Sequence, residues 1–129
     1  MHGLKCVSEQ DKARPVILIV DDETLIRLAA VQIAEDEGFD VVEAANADEA
    51  IEILEGRDDI RVIFTDIHMP GSMDGLKLAR AVRDRWPPIK IIVTSGREYP
   101  KKSDIPEGGR FFPKPYSPTQ VQTALREWA

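Results

Sequence analysis

The run Val62-Ile63-Phe64-Thr65-Asp66-Ile67-His68-Met69-Pro70-Gly71 joins a short apolar stretch to a single carboxylate and then to a turn. Val, Ile, Phe and Thr favour extended backbone, and a run this short and this apolar reads as a strand buried on both faces. A charge in the middle of such a strand would lose its hydration without a partner. Asp66 is therefore expected at the strand's carboxyl end, where the chain leaves the sheet through Pro70 and Gly71. Open α/β sheets bind their ligands at that edge. A simpler possibility is that Asp66 only starts the turn and accepts backbone N–H groups. The flanking sequence decides between the two.

Four more apolar runs alternate with helical patterns around this one. Val16–Val20 is a bare aliphatic run that ends in Asp21-Asp22. Residues 39–45 form a weaker second run, Ile60–Asp66 the third, residues 89–95 the fourth and residues 110–112 a short fifth. A helix is expected over residues 23–37, with Leu25, Ile26, Ala29, Ile33 and Ala34 as its apolar stripe and Gly38 as its stop. Asn46 and Glu49 have the spacing of a capping box, opening a helix that turns Ala50, Ile51 and Leu54 inward and stops near Gly56. Residues 72–86 place Leu76, Ala79, Val82 and Trp86 on one helical face before Pro87-Pro88 ends it. Ser117 or Pro118 opens a last helix with Val121, Ala124, Leu125 and Trp128 in one stripe.

Such alternation implies parallel strands joined by right-handed crossovers, hence an α/β fold: a three-layer, doubly wound, five-stranded parallel sheet. Residues 96–109 break the rhythm. Pro100, Pro106, Gly108 and Gly109 interrupt every window of two helical turns there, so a loop with at most one turn is expected.

A chain of 129 residues with 43% hydrophobic and 31% charged residues suits one ordinary globular domain. Residues 1–14 are polar and read as a flexible arm, residues 15–129 as the domain, with nothing left for an output domain. No apolar run approaches the ~20 residues of a membrane span, so no membrane partner is expected. The single cysteine, Cys6, excludes an internal disulfide, and together these features favour the cytoplasm. The formal charge of −6 argues against direct contact with nucleic acid, whose phosphates demand a basic face.

Each polar residue that ends a strand falls at the same edge of the sheet. The first strand supplies Asp21 and Asp22, the third Asp66, the fourth Thr94 and Ser95, and the fifth Lys114. Three carboxylates brought together repel, and their ionised form calls for a hard cation. Mg²⁺ suits an oxygen-only site that supplies one or two carboxylates, with water completing the shell; Mn²⁺ or Ca²⁺ could stand in for it in a crystal. A hydroxyl and an ammonium beside that cation are the groups needed to hold phosphoryl oxygens. Together with a carboxylate nucleophile they specify phosphoryl transfer onto aspartate. Taken singly, Asp21-Asp22 is often a helix-capping pair, Lys114 between Pro113 and Pro115 a rigid turn, and Thr94 a plain strand residue. Their meeting at one edge argues for the site.

These residues carry a resemblance. From about residue 15 to 129 the sequence resembles the receiver domain of two-component response regulators, single-domain type. The matching residues are Asp21-Asp22 after the first strand, Asp66 followed by Met69-Pro70 and Asp74-Gly75, then Thr94 and Lys114-Pro115. The resemblance implies a flavodoxin-like sheet of strand order 2-1-3-4-5 with the fourth helix short or missing, and a cis bond at Lys114–Pro115. It implies that Asp66 accepts a phosphoryl group from a sensor histidine kinase or a histidine phosphotransfer protein. Asp22 would ligate Mg²⁺ directly, Asp21 mainly through water, and Asp66 and the His68 backbone carbonyl would complete the protein ligands. Thr94 would bond the phosphoryl group, Lys114 would pair with it, and Phe111 would be the switch aromatic, without the hydroxyl of the commoner tyrosine. Such a protein is a phosphoacceptor that promotes its own phosphorylation and slow dephosphorylation, acting on a downstream protein partner or as a homodimer. The alternative from another class is a Mg²⁺-dependent phosphohydrolase with an aspartyl-phosphate intermediate, in which His68 would hold the general-acid position.

Overall fold

The computed structural model describes residues 14–69, 71, 73–96 and 99–128. The five strands are β1 (Val16–Val20), β2 (Asp40–Ala44), β3 (Ile60–Asp66), β4 (Lys90–Ser95) and β5 (Arg110–Pro113). All neighbours pair parallel, in the order β2-β1-β3-β4-β5. The helices are α1 (Thr24–Asp36), α2 (Ala47–Gly56), α3 (Gly75–Arg85) and α4 (Pro118–Trp128). Of the arm expected over residues 1–14, only Arg14 lies among the described residues, where it pairs with Asp40.

Two cores follow from the alternation of side chains along the strands. On one face Leu18, Ile63, Ile91 and Val93 pack with Ala50 and Leu54 of α2 and Leu78, Ala79 and Val82 of α3. On the other, Ile17, Ile19, Phe64 and Ile92 pack with Ala30 and Ala34 of α1 and Val121, Ala124 and Leu125 of α4. β1 is buried along its whole length, so its aliphatic run carries no alternation in sequence. Burying each such side chain contributes roughly 1.5–3 kcal/mol, which makes this sheet the rigid part of the molecule.

Local chemistry sets the helix ends. Asn46 accepts the Glu49 N–H at 2.9 Å, while the Glu49 carboxylate reaches back to the Ala45 N–H at 2.8 Å, one residue earlier than in the usual box. Gly38 ends α1 with φ +86°, a backbone shape that disfavours side chains. The helix expected from residue 72 starts at Gly75, because Asp74 caps it by accepting the Lys77 N–H at 2.9 Å.

The face of α1 differs from expectation in part: Ile33 and Ala34 pack inward as read, but its first turn does not. Leu25 is 83% exposed and Leu28 49%, and the buried positions are Ala30 and Ala34. With Arg27 and Val31 these form an i, i+3, i+4, i+7 set, so the helix is turned to bring Arg27 towards the sheet. The Arg27 guanidinium is satisfied there, bonding the Asp21 carbonyl at 2.7 Å and Glu43 at 2.9 Å. A charge at the head of the true stripe concealed it.

Among the described residues between β4 and β5 the regular structure is one short 3₁₀ turn, Lys102–Asp104. Ile91 and Val93 beneath are nevertheless fully buried. Tyr99 stacks edge-on against Phe111 at 5.5 Å, and a Cβ added at Gly109 would strike the Ile105 side chain at 2.8 Å, a measure of how closely that residue folds over the turn. Two arginines of α3 hold the segment from the side: Arg80 bonds the Asp104 carbonyl at 3.3 Å, and Arg83 bonds the Glu107 carbonyl. Each bond is worth on the order of 1 kcal/mol. Replacing both, Arg80→Ala/Arg83→Ala, should therefore speed hydrogen exchange at the Asp104, Ile105 and Gly109 amides by roughly tenfold or more and leave β3 and β4 unchanged. Exchange at those three amides that matched wild type would show that the arginines do not hold the segment.

Candidate functional site

Strand register assembles the site. Val20 pairs with Thr65 across β1 and β3, so the next residues, Asp21 and Asp66, leave the sheet side by side. Asp66 is in turn opposite Thr94, Thr94 opposite Phe112, and Ser95 opposite Pro113. Backbone bonds carry the pairing one step past the strands, from Ile67 N–H to the Thr94 carbonyl and from Lys114 N–H to the Ser95 carbonyl, both at 2.9 Å. Lys114 thereby stands at the carboxylate edge, followed by a cis bond to Pro115.

Carboxylate oxygens of Asp21, Asp22 and Asp66 lie within 4.8 Å of one another. Asp21 and Asp66 are buried, and Asp22 is exposed. The Lys114 ammonium stands 3.3 Å from Asp66, 3.4 Å from Asp21 and 4.0 Å from Glu23. One cation against three clustered carboxylates leaves net negative charge, and an all-oxygen donor set fits a hard divalent ion. A cavity of about 400 Å³ opens here, lined by Asp22, Glu23, Asp66, His68, Gly96 and Lys114.

Burial pushes the Asp66 carboxyl above its ordinary range, with the Asp21 charge adding to the rise and Lys114 opposing it. Lys114 also lies above its usual value: burial works against its charge, and attraction to Asp66 and Asp21 outweighs that. Tyr116, stacked edge-on with Phe64 at 5.4 Å, is pushed up to about 12, by burial first and then by Asp21 and Asp66. It stays neutral beside the acidic cluster.

Thr94 is next to Asp66 in register, but it is fully buried and its hydroxyl is engaged elsewhere, donating to the Phe112 carbonyl at 2.7 Å. Phe111, opposite Val93, is half-buried on the α3 side of the sheet. The sequence reading assigned no role to four supporting residues, Gly75 among them although it is named in the Asp74-Gly75 match. Glu23 and Gly96 line the cavity, and Arg27 fixes the Asp21 carbonyl. Gly75 is the fourth: a Cβ there would fall 1.9 Å from the Asp66 carbonyl oxygen, so only glycine lets α3 start against the loop that carries Asp66. That contact gives the Asp74-Gly75 pair its reason. The pair both caps the helix and clears the approach.

A family model described as response regulator receiver domain matches residues 17–126. The chain belongs to the response regulator receiver family. Receiver domains of this family are the phosphoacceptor modules of two-component signalling. This receiver is 36% identical over 115 residues to the sensor kinase CckA of Brucella abortus (strain 2308), a match that covers 86% of this chain and 12% of that protein. It is 36% identical over 117 residues to the hydrogenase transcriptional regulatory protein HoxA of Cupriavidus necator, covering 86% of this chain and 23% of that one. The chain thus spans only a small part of the curated relatives it matches. Among solved structures, a response regulator receiver protein from Sinorhizobium medicae WSM419 superposes with a TM-score of 0.82 at 28% identity, over 90% of this chain and 94% of that one. Among the described residues of the receiver, no helix is long and apolar enough to cross a membrane.

The raised position of Asp66 has a consequence for stability. The folded receiver holds a proton on Asp66 more tightly than the unfolded chain does. Stability therefore falls as pH rises from the unfolded carboxylate value through the raised folded one, and stays at the lower level above it. Asp66→Asn removes that titration. Without divalent cations at pH 7.5 it should be the more stable protein by on the order of 1 kcal/mol, the gap closing as pH is lowered through the carboxylate range. Denaturant titrations at several pH values check this, and a less stable Asp66→Asn at pH 7.5 would contradict it.

Proposed function

We propose that Asp66 is the phosphoacceptor of a phosphorelay switch, charged by a sensor histidine kinase or a histidine phosphotransfer protein. The observation that carries this reading is the Lys114 ammonium 3.3 Å from an Asp66 carboxylate that shares its edge with two other aspartates. In the transfer, an Asp66 oxygen bonds to phosphorus as the phosphorus–nitrogen bond of a phosphohistidine breaks. The electron pair leaves with the imidazole, which takes up a proton. Asp21, Asp22, Asp66 and the His68 backbone carbonyl would hold Mg²⁺, which when bound supplies charge neutralisation for the phosphoryl oxygens. Lys114 meets another of those oxygens and restrains the nucleophile by the ion pair it already makes.

Thr94 is the group that reports the change. Its hydroxyl trades the Phe112 carbonyl for a phosphoryl oxygen, an exchange favoured because the new acceptor is charged. Phe111 lies beside that bond, so its ring and the Tyr99 ring stacked on it follow. The switch then reaches the surface through the 99–109 segment. In this reading the receiver works in the cytoplasm, where the donor kinase draws on ATP.

Exposed Leu25 and Leu28 support a docking place for the donor. They stand at the start of α1, next to Asp22 and Glu23 at the cavity mouth. An apolar pair beside an acidic cavity suits a helix that presents a phosphohistidine.

One intact-mass experiment tests both parts. With Mg²⁺ and acetyl phosphate, wild type should gain one phosphoryl group and hold it, whereas Asp66→Asn or excess chelator should abolish the gain. Leu25→Ser should gain it as wild type does from acetyl phosphate, yet roughly tenfold more slowly from a phosphorylated histidine phosphotransfer protein. Labelling of Asp66→Asn would exclude the acceptor. Multiple turnovers of phosphate release would favour a hydrolase, and equal loss from both donors in Leu25→Ser would exclude the docking role.

A further inference from the structure

Charge is unevenly divided along this chain. Residues 14–61 contain 14 Asp or Glu and 4 Lys or Arg, whereas residues 62–128 contain 7 and 11. The strand order turns that division into geometry. β2 and β1, with α1 and α2, form the acidic side of the molecule, and β4 and β5, with α3 and α4, form the basic side.

The basic side has a focus where α3 meets the 3₁₀ turn. Lys77 and Arg80 follow one another along α3, and Lys101 and Lys102 are exposed on the turn beside them. Arg80 ties the two elements together, reaching the Asp104 carbonyl at 3.3 Å and its carboxylate at 3.9 Å. Lys77, Lys101 and Lys102 have no ion-pair partner among the described residues. At the head of the same segment stands Tyr99, 77% exposed, one of only three large hydrophobic residues exposed among those described. Its other edge rests on Phe111, so the ring is presented on a firm support rather than on a free loop.

We propose that the face formed by α3 and residues 99–105 docks an acidic polypeptide segment carrying an aromatic or aliphatic anchor that covers Tyr99. The lysines supply steering and register through a field that the acidic half of the molecule does not cancel locally, and the Tyr99 ring, covered on docking, supplies the hold. A nucleic acid fits less well, because a phosphate backbone needs a continuous basic stripe and Asp84, Asp104 and Glu107 interrupt this one. The face is contiguous with Phe111. The proposal thus names the partner class for the output of the switch read above, although docking itself does not require phosphorylation.

The probe is a random glutamate–tyrosine copolymer, titrated into the unphosphorylated ¹⁵N-labelled receiver at low salt, so the outcome is independent of whether Asp66 accepts phosphate. Amide shifts should concentrate at Lys77, Arg80, Tyr99, Lys101 and Lys102, and binding should weaken as salt rises. Lys101→Glu/Lys102→Glu should weaken it roughly tenfold or more, and Tyr99→Ser by several-fold. Lys101 and Lys102 are exposed, so the melting temperature of the double charge reversal should match wild type. Lys90→Glu, which changes a lysine at the opposite end of β4, should leave binding unchanged. Shifts centred elsewhere, indifference to the double charge reversal, or equal binding of heparin or of polyglutamate would overturn the proposal. Self-association through the same residues would overturn it as well, assigning the face to a second copy.

Discussion

Repulsion among Asp21, Asp22 and Asp66 is the constraint on which the rest of this structure depends. Like charges gathered within 4.8 Å drift apart unless their backbones are fixed. Here they are fixed by the stiffest elements available, the fully buried strand β1 and the central strand β3. Lys114 offsets part of the charge, and it arrives from the far edge of the sheet through pairing with β4. The hydrophobic cores on the two faces therefore serve the chemistry indirectly. They hold a charge arrangement that would not assemble by itself.

Fixing the carboxylates also sets what can move. Asp66 cannot recede, since its carbonyl abuts Gly75 at the start of α3. The groups with an alternative are on β4 and β5. On the proposed reading the Thr94 hydroxyl, now bonded to the Phe112 carbonyl, would gain a second acceptor in a phosphoryl group on Asp66, and Phe111 is only half-buried. Tyr99 stacks on Phe111, at the head of the arginine-held segment. In the proposed switch, a change at the rigid acidic edge would be passed to this arginine-held segment.

What the sequence made legible has a common physical cause. Asp66, Asp21 and Lys114 stood out because an apolar strand cannot hide a charge, so each marks a strand end. The parallel order of strands followed from strand–helix alternation, and the 3₁₀ turn from Pro and Gly in residues 96–109. What stayed hidden depends on contacts distant in sequence. Arg27 heads the buried stripe of α1, and nothing local to that helix shows that its partners are the Asp21 carbonyl and Glu43. The same holds for Arg80 and Arg83, which read as ordinary exposed charges until the chain some 24 residues later lies beside them. Leu25 was misplaced for the complementary reason: an apolar residue in a helical pattern was taken to face inward, and it faces the solvent.

The central claim is that the phosphoryl group resides on Asp66, and chemical trapping tests it directly. The receiver, phosphorylated in the presence of Mg²⁺, is reduced with borohydride, which converts an aspartyl phosphate to homoserine, and its peptides are then sequenced by mass spectrometry. Homoserine at position 66 and at no other aspartate is the expected result. Homoserine at position 21, 22 or 74, or none at all in protein known to carry the label, would contradict it.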